Sequence, residues 1–109
     1  MVMRKFPKDN SRTILDIGCG LGGTAQYIKN HGYGSPVCID KDADCIEYVN
    51  SSYPELETHV SDVIDLKQLF KNRQFDLAYL FNSFYAFSDQ QGSLKVIADL
   101  IKNNGVVLS

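Results

Sequence analysis

The sequence predicts a doubly wound α/β fold: a mainly parallel sheet of about five strands with helices on both faces. Three observations predict it. Short apolar runs alternate with stretches of helical spacing through residues 12–109, an order that produces right-handed crossovers and a parallel sheet. The first apolar run ends in a glycine-rich turn, "ILDIGCGLGG" at 14–23. That turn falls where such sheets take their ligands, at the carboxyl ends of strands beside the reversal of strand order.

Each element has its own signal. Residues 1–11 carry Pro7, Asp9, Asn10 and Ser11 and read as a lead-in segment. "TILDI" (13–17) is a short apolar run suited to a strand buried on both faces. "GTAQYIKNHG" (23–32) has helix formers through Ala25–Lys29, and Gly32 can cap its end. "SPVCID" (35–40) is a second strand. In "DADCIEYVNSS" (42–52), Ala43, Ile46, Tyr48 and Val49 are spaced helically behind Asp42 as N-cap. Glu57–Val60 predicts a third strand, 65–70 a short helix or turn, and "QFDLAYLF" (74–81) a strong fourth strand. Residues 89–105 repeat Leu94, Ile97, Ala98 and Ile101 at helical spacing, with Gly105 beyond the end. "VVLS" (106–109) then begins a fifth strand. No internal repeat or low-complexity segment breaks this order.

Composition narrows the function classes. At 109 residues the chain builds one domain with a single modest core. A net charge of −2 supplies no bulk attraction to phosphate backbones, so nucleic acid is not the expected partner. Cys19, Cys38 and Cys45 are odd in number and form no C-x-x-C pair, which favours neither disulfides nor structural zinc. Free thiols fit a reducing compartment. The N-terminal decapeptide lacks the apolar core of a signal peptide and no stretch reaches membrane-spanning length, so a cytoplasmic location is expected.

The glycine turn fits two cofactors. Gly18, Gly20 and Gly23 have the G-x-G-x-x-G spacing of a dinucleotide site. Asp16, Gly18, Gly20 and Gly22 have the D-x-G-x-G-x-G spacing associated with S-adenosylmethionine. Asp40, 20 residues after Gly20, ends the second strand, where a carboxylate can accept both ribose hydroxyls. Asp62 follows the third strand, where a carboxylate can accept from the exocyclic amine of adenine.

In order and spacing, "ILDIGCGLGGTA", "CID" and "SDV" resemble the first three motifs of the class I S-adenosylmethionine-dependent methyltransferases, a Rossmann-like family. "FDLAYL" and "IKNNGVVL" are similar to that family's fourth strand and the entry to its fifth. The resemblance implies S-adenosylmethionine as cofactor and methyl transfer to a small-molecule acceptor. It places the backbone around Gly18, Cys19, Gly20 and Gly22 against the methionine portion, with Asp16 near its amino group. Asp40 would bind the ribose, and Asp62 with the Val63 backbone the adenine. Lys41 stands where the family often has an apolar residue, so only its aliphatic stem could pack on the base. The cofactors also differ in charge. A pyrophosphate wants a helix N-terminus, whereas an ammonium wants an acid, and Asp16 supplies one inside the motif.

Acceptor and catalysis are less marked. Asn82 and Tyr85 lie past the fourth strand, where the family places acceptor-site residues. They resemble an N-P-P-Y motif in which Ser83 and Phe84 replace both prolines, a departure that removes the rigid loop. Neither His31 nor His59 is assigned catalysis, and no catalytic base is identified. The family's sheet usually continues past strand five, so the expectation is a cofactor-binding domain lacking the last strands. Val106, Val107 and Leu108 would then form an edge that pairs with another copy or another chain. Two alternatives stand beside methyl transfer: a non-catalytic S-adenosylmethionine-binding or interaction module, and an NAD-binding domain.

Overall fold

A computed structural model describes residues 8–80 and 90–108. It contains one parallel sheet of five strands: β1 (Thr13–Ile17), β2 (Ser35–Asp40), β3 (Glu57–Val60), β4 (Phe75–Tyr79) and β5 (Ile101–Leu108). Their spatial order is β3-β2-β1-β4-β5, so the reversal point lies between β1 and β4. Helices α1 (Gly23–Asn30) and α2 (Ala43–Ser52) connect the first three strands. A 3-10 turn (Val63–Asp65) running into α3 (Leu66–Leu69) precedes β4, and α4 (Gln90–Leu100) precedes β5.

Strand alternation divides the core into two layers. Leu15, Ile17, Val37 and Ile39 point to the side covered by Leu66 of α3 and Ile97 and Leu100 of α4. Ile14 and Leu77 point to the other side, against Ile28 of α1, while Cys38 packs there with Ala25 of α1 and Val49 of α2. Burial on both faces is what the continuous apolar run of β1 requires. Asp76 fastens the start of this sheet. Its Oδ2 accepts from the Thr13 amide at 2.8 Å and its Oδ1 pairs with Lys102 Nζ at 3.1 Å, joining β1, β4 and β5.

Helix ends follow their local chemistry. Gly32, at φ +75°, closes α1: its amide donates to the Lys29 carbonyl and that of Tyr33 to Ile28, the paired bonds of a Schellman motif. Asp42 caps α2 by accepting from the Asp44 amide at 2.9 Å. Of the four residues spaced helically in α2, Ile46 and Val49 are buried, whereas Ala43 and Tyr48 face outward.

The last helix differs from the sequence expectation. It ends at Leu100 rather than near Gly105, and β5 starts at Ile101 rather than Val106. Its buried positions are Ser93, Ile97 and Leu100, one helical row from the expected stripe; Leu94 and Ala98 are exposed. Pairing with β4 decides the boundary: Ile101 sits opposite Phe75, and after an irregularity Val106, Val107 and Leu108 sit opposite Leu77, Ala78 and Tyr79. Tertiary pairing of this kind overrides a helical spacing that would otherwise continue. No helix among the described residues is long and apolar enough to cross a membrane.

Candidate functional site

The glycine turn joins β1 to α1 at the carboxyl edge of the sheet. The amides of Gly18 and Cys19 both donate to the Ile39 carbonyl of β2, at 2.8 and 3.0 Å. These bonds fold the turn across the end of the neighbouring strand. Gly20 (φ +56°) and Gly22 (φ +83°) both need the left-handed region that glycine enters freely. Their surroundings differ. A Cβ on Gly20 would meet nothing within 4 Å, whereas one on Gly22 would lie 3.0 Å from Val49 Cγ2. Gly20 therefore leaves space beside the backbone, and Gly22 lets the turn pack on α2.

Asp40 is the tether between turn and sheet. Its Oδ2 accepts from the Gly20 amide at 2.9 Å and its Oδ1 from the Asp42 amide at 2.9 Å. Its backbone carbonyl accepts from the Ser61 amide at 3.0 Å, which brings the end of β3 alongside. A carboxylate has about four lone-pair sites, so Asp40 keeps acceptor capacity beyond these two amides. Next to it, Lys41 is exposed.

Past β3, Asp62 is exposed and caps the 3-10 turn, accepting from the Ile64 amide at 3.4 Å. Val63 turns inward and joins the α3–α4 layer of the core. Asp16, Gly18, Cys19, Gly20, Gly22, Asp40, Lys41, Asp62 and Val63 thus belong to the consecutive carboxyl ends of β1, β2 and β3. Asn82 and Tyr85 lie outside the described residues.

Asp16 differs from the other acids. It is 3% exposed, on the α1–α2 side of β1. Register sets it beside Cys38 of β2 and Tyr79 of β4, and the Tyr79 hydroxyl donates to Oδ2 at 2.6 Å. Burial pushes the Asp16 carboxyl up to about 7, partly offset by the Tyr79 hydrogen bond and aided by the Asp40 charge. Burial likewise raises the Tyr79 phenol, and the Cys38 thiol is raised first by its contact with Cys19 and then by burial.

Tyr79 was not singled out by the motif reading. The available signal was a lone hydroxyl in the otherwise apolar end of "FDLAYL". The two histidines make local contacts: His31 Nδ1 lies 2.9 Å from the Tyr27 carbonyl, and His59 pairs with Glu57 at 2.7 Å. A cavity of about 320 Å³ opens at the opposite edge of the sheet, among Lys67, Phe70, Arg73 and Asp99. Two of its cations are already paired, Lys67 with Asp99 and Arg73 with Glu57.

Comparison with known proteins agrees with this architecture. A model of the methyltransferase domain family matches residues 14–105. A protein of Invertebrate iridescent virus 6, named provisionally as methyltransferase 235L, is 33% identical over 110 aligned positions covering 91% of this chain and 42% of its own. The YcgJ protein of Bacillus subtilis superposes with a TM-score of 0.85 at 21% identity, covering 98% of this chain and 47% of its own. A TehB-like SAM-dependent methyltransferase from Corynebacterium glutamicum gives 0.78 at 23% identity, covering 98% of this chain and 58% of its own. The chain spans about half the length of these relatives. With 92 consecutive positions from β1 to β5 matched by the family model, the chain belongs to the methyltransferase domain family.

Proposed function

We propose that residues 12–109 form the S-adenosylmethionine-binding domain of a methyltransferase acting on a small molecule. The observation that carries this reading is Asp16, a carboxylate buried directly beneath the glycine turn. A negative group there opposes a dinucleotide's pyrophosphate and suits a ligand ammonium. The residues present fit the cofactor: Asp16 offers the acid, and Gly20 leaves room for close approach to the backbone. The Corynebacterium neighbour is itself described as SAM-dependent, which supports the same reading.

In this reading Asp16 pairs with the amino group of the cofactor, and the backbone of Gly18, Cys19 and Gly20 lies along its methionine portion. Asp40 accepts from the ribose hydroxyls while keeping the turn closed through Gly20. Asp62 and the Val63 backbone address the adenine, with the Lys41 stem beside it. The bound cofactor supplies a sulfonium methyl group to an acceptor nucleophile. The protein's part in such a transfer is chiefly alignment and exclusion of water, so no base is required for a good nucleophile. Asn82 and Tyr85 are assigned to the acceptor side. The outer edge of β5, at Val106–Leu108, takes a further strand from another copy or another chain. Sedimentation as a monomer with rapidly exchanging amides there would contradict that assignment.

Calorimetric titration with S-adenosylmethionine, with NADH as control, tests the cofactor. Saturable heat with the first and none with the second is expected; binding of NADH, or no heat with the methyl donor, overturns the reading. Incubation with methyl-labelled cofactor and a metabolite mixture separates transfer from binding alone. A cytoplasmic location is part of the same proposal.

A further inference from the structure

Tyr79 belongs to none of the glycine-turn motifs, yet it meets the acid at the centre of them. Asp16 and Tyr79 are register partners on β1 and β4, exposed by 3% and 2%. Their 2.6 Å bond uses Oδ2 of the carboxyl group. Oδ1 makes no hydrogen bond among the described residues. A short bond to one oxygen of a buried carboxyl fixes the plane of the group and hence the position of the other oxygen.

We propose that Tyr79 is a positioning residue for the cofactor: it holds Asp16 through Oδ2 so that Oδ1 receives the α-ammonium of S-adenosylmethionine. The inference rests on the S-adenosylmethionine reading above and adds to it the residue that controls Asp16. Among the described residues, the titratable groups facing the pair are Cys38 on β2, Asp40 at its end and Cys19 in the turn. All are acids or thiols. With burial raising the Asp16 carboxyl to about 7, part of the empty protein carries a proton there near neutral pH. Cofactor binding then replaces that proton with the ammonium: the O–H bond of the carboxyl breaks, the proton leaves for solvent, and an ion pair forms in its place. Tyr79 favours the ionised form, because its hydroxyl donates to the carboxylate.

The test compares wild type with Tyr79→Phe, measuring affinity from pH 5.5 to 8 for two ligands. S-adenosylmethionine carries the amino group; methylthioadenosine lacks the whole amino-acid portion. Wild-type affinity for S-adenosylmethionine should rise up to about tenfold per pH unit below about 7 and then level off. In Tyr79→Phe the rise should move to higher pH, lowering affinity at pH 7 by roughly three- to tenfold, with methylthioadenosine unaffected. An unchanged pH profile in the variant, or equal losses for both ligands, overturns the proposal and leaves the cofactor assignment standing. Absence of binding by wild type to either ligand overturns both. Should Tyr79→Phe not fold, the wild-type Tyr79 hydroxyl proton followed by NMR decides. It should shift on addition of S-adenosylmethionine but not of methylthioadenosine, and a resonance indifferent to both overturns the proposal.

Discussion

The Gly20 amide donates to Asp40 Oδ2 at 2.9 Å, so a single side chain at the end of β2 closes the glycine turn that leaves β1. The same carboxylate braces its own chain through the Asp42 amide. Turn and strand end are therefore one unit, and the proposed ribose acid also shapes the loop that would hold the methionine portion.

Asp40→Ala should accordingly lose both roles at once. Hydrogen bonds to charged groups contribute about 1.5–3 kcal/mol each, less where solvent reaches them. An expected loss of about 1–2 kcal/mol in urea unfolding should accompany a marked fall in cofactor affinity. Asp40→Asn, which keeps an acceptor for Gly20, should recover part of the stability. Equal stability of wild type and Asp40→Ala would show that the tether is unimportant.

Gly20 and Gly22, both left-handed, should respond differently to alanine. Both substitutions carry the cost of a left-handed residue, about 1–2 kcal/mol. Gly22→Ala adds the approach to Val49 at 3.0 Å and should lower the urea midpoint more. Gly20→Ala meets no neighbour within 4 Å, so its excess effect should appear in cofactor affinity. The reverse order in either measurement would exchange the roles assigned to these residues.

Asp16 predicts a pH dependence of folding with a definite sign. Its folded-state value of about 7 lies above the ordinary carboxylate value of 3.8, so the folded state holds the proton more tightly. Its contribution is most favourable below about 4 and is lost as pH rises through about 7. Asp76 and Glu57 act oppositely, since hydrogen bonds from Thr13 and from Arg73 lower their values and the stability they add is lost in acid. Between pH 5 and 8, Asp16→Asn should gain stability relative to wild type, by an amount of order 1–3 kcal/mol at the alkaline end. Parallel stability curves for the two proteins would remove Asp16 as the source.

Much of the fold was legible because local chemistry and tertiary demand agree. The apolar run of β1, the Asp42 cap, the Gly32 terminus and the bounds of β2 and β3 all follow from short-range signals. α4 was less legible, because Leu94, Ile97, Ala98 and Ile101 form a plausible stripe by spacing alone. The sheet edge at Phe75 claims Ile101, and burial falls instead on Ser93, Ile97 and Leu100. The glycines could be found from spacing, but their division of labour could not, since it depends on whether Val49 stands opposite.

The sequence by itself determined the alternating order of elements, the position of the glycine turn and the acids at the ends of three strands. These are written in spacing and side-chain type, which act over a few residues. Only the tertiary structure decided that β4 lies beside β1 and thereby sets Tyr79 against Asp16, 63 positions away. That contact arises from strand register, which no local pattern encodes, and the burial that accompanies it raises the Asp16 carboxyl to about 7, against the opposing pull of the Tyr79 hydrogen bond.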